Sequence, residues 1–546
     1  PEGCKPCLFI FAKLILPYQG KLCVDLIDQT LGIRVPEKEP FTVDERLFWN
    51  MQRAVLWLRA AAEERLIKNG DAFELPDFPV SHIQTVFAFQ EDCVSMMIWE
   101  STDERCGIAR IVRRQLSSEQ SIAMIRSFRS IDSQKVIYQP VWGTAIREKN
   151  YENALWIRLK EVPVINNWQV PTNLCQLKQI CTNQGIDLLA ILKSFAPKAR
   201  DGRRHLLLVG FPIPAHIGED SHEMTWQAIE LPALSCGKYT NRVFHSGKRL
   251  SIPQTYGARK GYRPSEAGWW MNDKAKIFLD SMELSWIRSE NWSARTIKGR
   301  GKLANRLANQ RIVMIGLGSL GASIAELLTR AGATQLTCID GNALEMGNLC
   351  RHTLCMTDLY QSKSKLVAKR LTNIDPNIHT TYAERYLDID ETGALVPDLS
   401  SFDIIIDSTG EDQVLALLSA TEWKRKIVFC SSSVGLGAKR LYINIQRTKL
   451  PHFENFLNLV EPYFQKDSND FNLDALPRDG IGCWHPLFPA RADDMWFAAC
   501  TTVKALEAFV QNSTEKGISL IYETQTEDGL FNGLRLIEKQ YEYREN

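Results

Sequence analysis

Three glycines follow a β-branched run in Arg311-Ile-Val-Met-Ile-Gly316-Leu-Gly318-Ser-Leu-Gly321. This spacing tightens a strand-to-helix turn and lets the backbone approach an anion closely. The N–H groups at the start of the following helix face that anion and favour negative charge. Leu336-Thr-Cys-Ile-Asp340 then puts a carboxylate at the end of a second strand, where it suits a ribose hydroxyl. So far any dinucleotide enzyme fits, an NAD-dependent oxidoreductase included. Asn348 and Arg351, in Gly347-Asn-Leu-Cys-Arg-His352, separate the alternatives. A guanidinium offers phosphate oxygens a fixed fork of donors, and an asparagine can hold ribose or phosphate beside it. A nicotinamide enzyme would leave both residues without purpose.

The elements that must position these groups follow from hydrophobic periodicity. Strands are predicted at 311–316, 335–340, 403–407, 426–430 and 438–445, alternating with helices as in a doubly wound sheet. A helix over 319–332 ends at Gly332, and Ser362 caps another that runs to Ile374, before Asp375-Pro376. Asp403-Ile-Ile-Ile-Asp407 is apolar throughout its middle, as in a strand buried on both faces. From 446 to 490 the pattern dissolves into a long proline-rich connection, and connections of that length are commonly functional. A helix over 491–511 and strands near 517–523 and 529–537 close this region. Further upstream, Phe48 to Leu66 reads as an amphipathic helix packing through Trp49, Val55, Leu56, Leu58 and Ala62. Phe73 to Pro79 is extended. Residues 81–300 look α+β, with strand-like runs at Thr85–Gln90, Ser95–Glu100 and His205–Phe211 and helices at 173–183 and 185–195. The stretch 288–305, rich in Arg, Lys, Ser and Gly, is expected to be a linker.

At 546 residues the chain exceeds one core and implies several domains. With 65 basic and 64 acidic residues it has no bulk charge to bind a polyanion, so nucleic acid is not an expected partner. No apolar run approaches the roughly 18 residues that span a bilayer, and no leader pattern precedes the first domain, so no membrane partner and a cytoplasmic protein are expected. The 14 cysteines lack the regular pairs of a disulfide framework. Cys4-Lys-Pro-Cys7 is the only Cys-x-x-Cys, and a tetrahedral zinc site needs a second pair, so no zinc is predicted.

In combination, the glycine turn, Asp340 and Asn348-Leu-Cys-Arg351 resemble the adenylation domain of the ubiquitin-activating superfamily, which includes the ThiF and MoeB sulfur-carrier activators. The resemblance covers about residues 301–530. It implies a Rossmann-like α/β fold over 301–546, with ATP and Mg2+ as cofactors. It also implies a lysine opening the helix after the arginine. Lys363 fits by its distance to Asp375-Pro376, with Lys365 the close competitor. Gly316, Gly318, Gly321, Asp340, Asn348, Arg351, Lys363 and Asp407 would then contact the nucleotide. The family's magnesium aspartate follows a threonine, but Asp407-Ser-Thr-Gly410-Glu411-Asp412 has glycine there, so either Asp407 or Asp412 serves or the metal is bound differently; Asp407 is the first choice, and a strand-end or capping role is its alternative. The superfamily places its thioester cysteine in the long connection, which points to Cys483 in Gly480-Ile-Gly-Cys-Trp-His485. A thiolate is the right nucleophile for an acyl-adenylate, and His485 could take its proton. Cys430 and Cys500 are expected to be core thiols.

The amino half supplies a second resemblance. Cys4-Lys-Pro-Cys7-Leu, Leu16-Pro-Tyr18, the Trp57-containing helix and Phe73-Glu-Leu-Pro-Asp-Phe-Pro79 are similar to the carboxyl part of a bacterial ubiquitin-conjugating-type domain, with Cys7 in the catalytic position. That family's first helix and meander sheet would precede residue 1, and the chain begins with Pro1, so a fragment is expected. The expected division is 1–80 conjugating-like, 81–300 α+β linker and interaction domain, and 301–546 adenylation domain with its cysteine connection at 446–490. Together the halves resemble the fusion enzymes of antiphage CBASS operons. The implied partners are a protein ending in a small residue (a ubiquitin-like protein or a cyclic GMP-AMP synthase-like nucleotidyltransferase), a target lysine, and a second copy in a homodimer. A sulfur-carrier adenylyltransferase shares the site but has no need of the amino-terminal 300 residues.

Overall fold

Ile312 to Ile315 and Ile404 to Ile406 are apolar at consecutive positions because both of their faces are covered, and all are buried. They form the centre of an eight-stranded sheet in the second of two units. The computed structural model describes residues 7–9, 21–23, 40–63, 69–146, 151–165, 169–236, 265–470, 488–512 and 516–542. The chain divides into one unit of residues 1–140 and 148–293 and another of 141–147 and 294–546.

In the second unit the strands are β1 (Arg311–Ile315), β2 (Gln335–Ile339), β3 (His379–Ala383), β4 (Ile404–Asp407), β5 (Ile427–Val434), β6 (Arg440–Thr448), β7 (Gly517–Glu527) and β8 (Leu530–Glu542). Their order is β3-β2-β1-β4-β5-β6-β7-β8. The first five run parallel and the last three antiparallel. The helices are α1 (Ser319–Arg330), α2 (Lys363–Ile374), α3 (Asp412–Ala420), α4 (Glu454–Asp470) and α5 (Ala492–Asn512). Strand order reverses between β1 and β4, and a crevice opens beyond the carboxyl ends of strands at such a reversal.

The expected strands and helices of this unit are present within a few residues, except in the connection. There α4 occupies 454–470 despite Pro462. Its Phe456 and Val460 pack on Tyr442 and Ile521, and its buried Asp467 pairs with the buried Arg440 and accepts from the Tyr442 hydroxyl at 2.9 Å. Apolar packing and a buried ion pair override the proline signal. The expected linker is also ordered: Ser285–Asn291 is a strand, and the buried Lys298 ammonium lies 2.8 Å from the buried Asp375 carboxylate.

In the first unit, an eight-stranded sheet closes on itself because Val80–Phe89 pairs with both Ser285–Asn291 and Ser121–Ser130. Cys93–Glu100 is a helix where a strand was expected. Asp92 accepts from the N–H groups of Val94 and Ser95, and the Ser95 hydroxyl accepts from the Asp92 N–H, a capping box that outweighs the apolar run. The amphipathic helix spans Val43–Ala62, with Trp49, Arg53, Ala54, Trp57 and Ala60 buried while Val55 and Leu56 are exposed. Of the expected packing positions Trp49 is buried and Leu58 half-buried, while Val55, Leu56 and Ala62 are exposed, and Trp57 joins Trp49 in the buried stripe.

Candidate functional site

The crevice of the second unit starts at the glycine turn. Gly316 has φ +80°, and a Cβ there would meet the Thr409 backbone N at 2.9 Å. At Gly321 a Cβ would stand 2.0 Å from the Gly316 carbonyl oxygen. Gly318 instead faces open space, and a Cβ at that position would meet no atom within 4 Å. It is the N-cap of α1, where among the described residues no side chain caps the helix, so the first-turn N–H groups are available to a ligand at the glycine turn.

Leu317, between the first two glycines, is clamped on both sides. Asp340 accepts its N–H at 2.6 Å and the Asn342 N–H at 2.7 Å. The Leu317 carbonyl is 2.8 Å from Nε2 of His352, whose Nδ1 accepts the Leu354 N–H at 3.0 Å. His352 is thus the neutral tautomer protonated on Nε2. Burial above all holds its pKa below the usual histidine value.

A cavity of about 450 Å³ lies over this turn. Its wall includes Gly316, Gly318, Asp340, Asn342 and Lys363, then Arg385, Tyr386 and Asp388 after β3, and Thr409, Glu411 and Gln413 after β4. Ser362 caps α2 through the Lys365 N–H, which places Lys363 on the first turn, half-buried at the cavity, and leaves Lys365 exposed. Tyr386 donates its hydroxyl to Asn342 Oδ1 at 2.6 Å. His352, Asn342, Arg385, Tyr386 and Glu411 were not singled out from the sequence. The position of Arg385-Tyr386 just after a parallel strand was their only local signal.

Other expected residues are placed differently. Asn348 Oδ1 accepts the Glu345 N–H at 3.1 Å, capping its own turn. Arg351 donates from Nη1 to the Phe488 carbonyl at 2.8 Å, with its guanidinium 5.6 Å from the Phe488 ring centroid. Neither residue is on the cavity wall. Asp407 is not either: it is 2% exposed, and accepts from the Thr409 N–H and hydroxyl at 3.1 and 2.7 Å and from Ser431 at 3.4 Å. Burial raises its pKa to about 6. Its carboxylate holds the β4 turn, which is the strand-end role. Among the described residues no three His, Cys, Asp or Glu gather to hold a metal. Magnesium carried on ATP phosphates needs only one or two carboxylates, and Glu411 on the wall fits that need better than Asp407.

Cys483 and His485 lie outside the described residues. Cys7 begins a short strand, Cys7–Phe9, paired antiparallel with Lys21–Cys23; its side chain is outside the described set. Cys430 is buried at the end of the apolar part of β5, where burial pushes its thiol up to about 12. Such a thiol is inert. Cys500 is half-buried on α5. Among the described residues, no helix is long and apolar enough to cross a membrane.

Residues 64–292 match the family described as Cap2 central linker domain, and residues 292–509 match the ThiF family. Similar proteins include an ATP-dependent ubiquitin transferase-like protein Cap2 of Enterobacter hormaechei subsp. hoffmannii, 30% identical over 491 residues, which are 88% of this chain and 77% of that protein. The molybdopterin-synthase adenylyltransferase of Escherichia coli is 31% identical over 129 residues, covering 23% of this chain and 50% of the relative. The sulfur carrier protein ThiS adenylyltransferase of Escherichia coli is 32% identical over 106 residues, covering 19% and 41%.

Proposed function

Because the chain belongs to the Cap2 family of ATP-dependent ubiquitin transferase-like proteins, we propose that its second unit adenylates a protein's C-terminal carboxylate and hands the acyl group to Cys483. It is an enzyme, and its activity is ATP-dependent adenylation in a ubiquitin-like conjugation system. The observation that carries the finer proposal is the cavity at the strand-order reversal, where open helix N–H groups, Asp340 and Lys363 converge.

In this scheme ATP lies along Gly316 to Gly321 with its ribose at Asp340 and its phosphates near Lys363. A substrate carboxylate oxygen attacks the α-phosphorus, the bond to the β-phosphate oxygen breaks, and pyrophosphate leaves. Lys363 and the N–H groups of α1 neutralise charge that builds on the phosphates. Magnesium would add to that neutralisation. The Cys483 thiolate then attacks the acyl carbon and AMP departs, leaving a thioester. Cys7 receives the acyl group by thiol exchange, and a target lysine attacks to form an amide. The substrate is a ubiquitin-like protein or a nucleotidyltransferase with a small C-terminal residue, the working form is a homodimer, and the setting is antiphage defence.

Arg351 has two roles to weigh. Either it leaves Phe488 to meet phosphate, or it stays and anchors the end of the segment that carries Cys483. Arg351→Ala abolishes exchange between pyrophosphate and ATP in the first case, and lowers only thioester yield in the second.

The test is pyrophosphate–ATP exchange with a co-encoded carrier protein, followed by detection of a reducible thioester. Cys483→Ala is expected to keep exchange and lose the thioester; Cys7→Ala keeps the thioester and loses transfer. No carrier-dependent exchange by the unmodified enzyme would overturn the scheme.

A further inference from the structure

The glycine turn carries a cost that the fold must meet. Glycines flank Leu317 on both sides, and glycine loses more conformational freedom on ordering than any other residue. The N–H groups that receive phosphate are useful only if they already point at it. The Leu317 side chain is fully buried, and its two peptide groups are tied, the N–H to Asp340 at 2.6 Å and the carbonyl to His352 at 2.8 Å. Asp340 is itself fixed by the Asn342 N–H, and its backbone carbonyl accepts from the buried Ser364 hydroxyl at 3.1 Å.

We propose that His352 is a positioning residue of the nucleotide site, its neutral imidazole bridging the Leu317 carbonyl and the Leu354 N–H so that the glycine turn is held ready for phosphate. The inference rests on the nucleotide reading of the cavity. His352 touches no substrate in this scheme; it acts through the Leu317 peptide.

The same geometry makes the clamp sensitive to charge. Nδ1 has to accept from Leu354 while Nε2 donates to Leu317. A protonated ring would set an Nδ1–H against the Leu354 N–H, and one of the two contacts must break. Three charged groups bear on the ring: Lys363 and Arg351 oppose protonation, and Asp340 favours it, alongside the Leu317 carbonyl. Burial adds the largest opposition. The neutral clamp therefore persists at and above neutral pH. It is lost as pH falls below the ordinary histidine value and through the depressed one.

Glutamine separates shape from charge, because its amide can donate to one backbone group and accept from the other without titrating. The experiment measures equilibrium affinity for magnesium ATP from pH 5 to 8.5, and amide hydrogen exchange across 314–323, in the unmodified protein, His352→Gln and His352→Phe. At pH 8 the Phe variant is expected to bind ATP about tenfold more weakly, as loss of two hydrogen bonds would give, and to exchange faster across the turn. The Gln variant is expected to bind within about threefold of the unmodified protein and to lack much of its decline toward acid pH. Unchanged affinity and exchange in His352→Phe would overturn the positioning role, as would an acid decline in His352→Gln equal to that of the unmodified protein. If His352→Phe fails to fold, the pH profile of the Gln variant still decides. Absence of ATP binding by the unmodified protein at every pH overturns the nucleotide reading itself, with the hydrogen-exchange comparison reporting separately on the clamp.

Discussion

Two alanine substitutions three residues apart separate folding from nucleotide binding. At Gly321, a Cβ would lie 2.0 Å from the Gly316 carbonyl oxygen and 3.2 Å from Ser408 Cβ. Carbon and carbonyl oxygen in contact normally sit about 3.3 Å apart or more, so α1 or the turn must shift by more than an ångström. Alanine recovers only about 1 kcal/mol of helix propensity, while forced overpacking costs about 1–3 kcal/mol and sometimes more. A backbone oxygen cannot move aside as a side chain can, which puts Gly321→Ala at the upper end, a net loss of about 2 kcal/mol. At roughly 2–4 °C per kcal/mol for a unit of this size, melting should fall by about 4–8 °C. Gly318 differs in every respect: its φ of −66° and ψ of −168° suit any residue, and a Cβ meets nothing. Gly318→Ala should melt within about 2 °C of the unmodified protein, since exposed substitutions stay within about 0.5 kcal/mol. Its methyl would stand in the space assigned to phosphate, so ATP affinity should drop by about tenfold or more. Calorimetry and equilibrium ATP binding on both variants decide the matter. Full ATP affinity in Gly318→Ala would show that phosphate does not pass there, and unchanged melting in Gly321→Ala would refute the close approach.

Lys363→Ala should lower pyrophosphate–ATP exchange by about two orders of magnitude, the usual scale for removing one charge-stabilising donor, while Lys365→Ala stays within about threefold; equal effects would remove Lys363 from the phosphates. Asp407 has a folded-state pKa of about 6, above its unfolded value, so its ionisation opposes folding increasingly as pH rises from about 4 to above 6. Asp407→Asn should therefore stabilise the protein at pH 7.5 relative to pH 4, by on the order of 3 kcal/mol at most, and a pH-independent difference between the two proteins would refute the assignment. Lys298→Met leaves the buried Asp375 carboxylate without its cation, a loss of about 3–5 kcal/mol. Adding Asp375→Asn should recover part of it, and a double variant melting no higher than the single one would argue against the pair.

The glycine turn, the parallel strands and the Ser362 cap were legible because each is written in adjacent residues: a β-branched run, a turn glycine, a hydroxyl before a helix. The connection over 446–490 was not, since α4 exists through partners far away in sequence. Pro462 breaks a helix in isolation, yet Arg440 and Tyr442 on β6 hold Asp467 of α4. His352 was invisible for a similar reason. A histidine after an arginine has no local signature, and its role depends on the Leu317 carbonyl across the site.

Residue chemistry also does not fix aim. Arg351 and Lys363 are equally able to meet phosphate, but only Lys363 reaches the cavity wall while Arg351 grips Phe488. The contest between Lys363 and Lys365 shows what was missing. Two residues along an α-helix turn a side chain by about 200°, so only one of the pair can face the nucleotide. Which one depends on where the helix starts, and the Ser362 cap sets that start. The motif narrowed the choice to two lysines; with the helix starting after Ser362, Lys363 lies on the cavity wall and Lys365 does not.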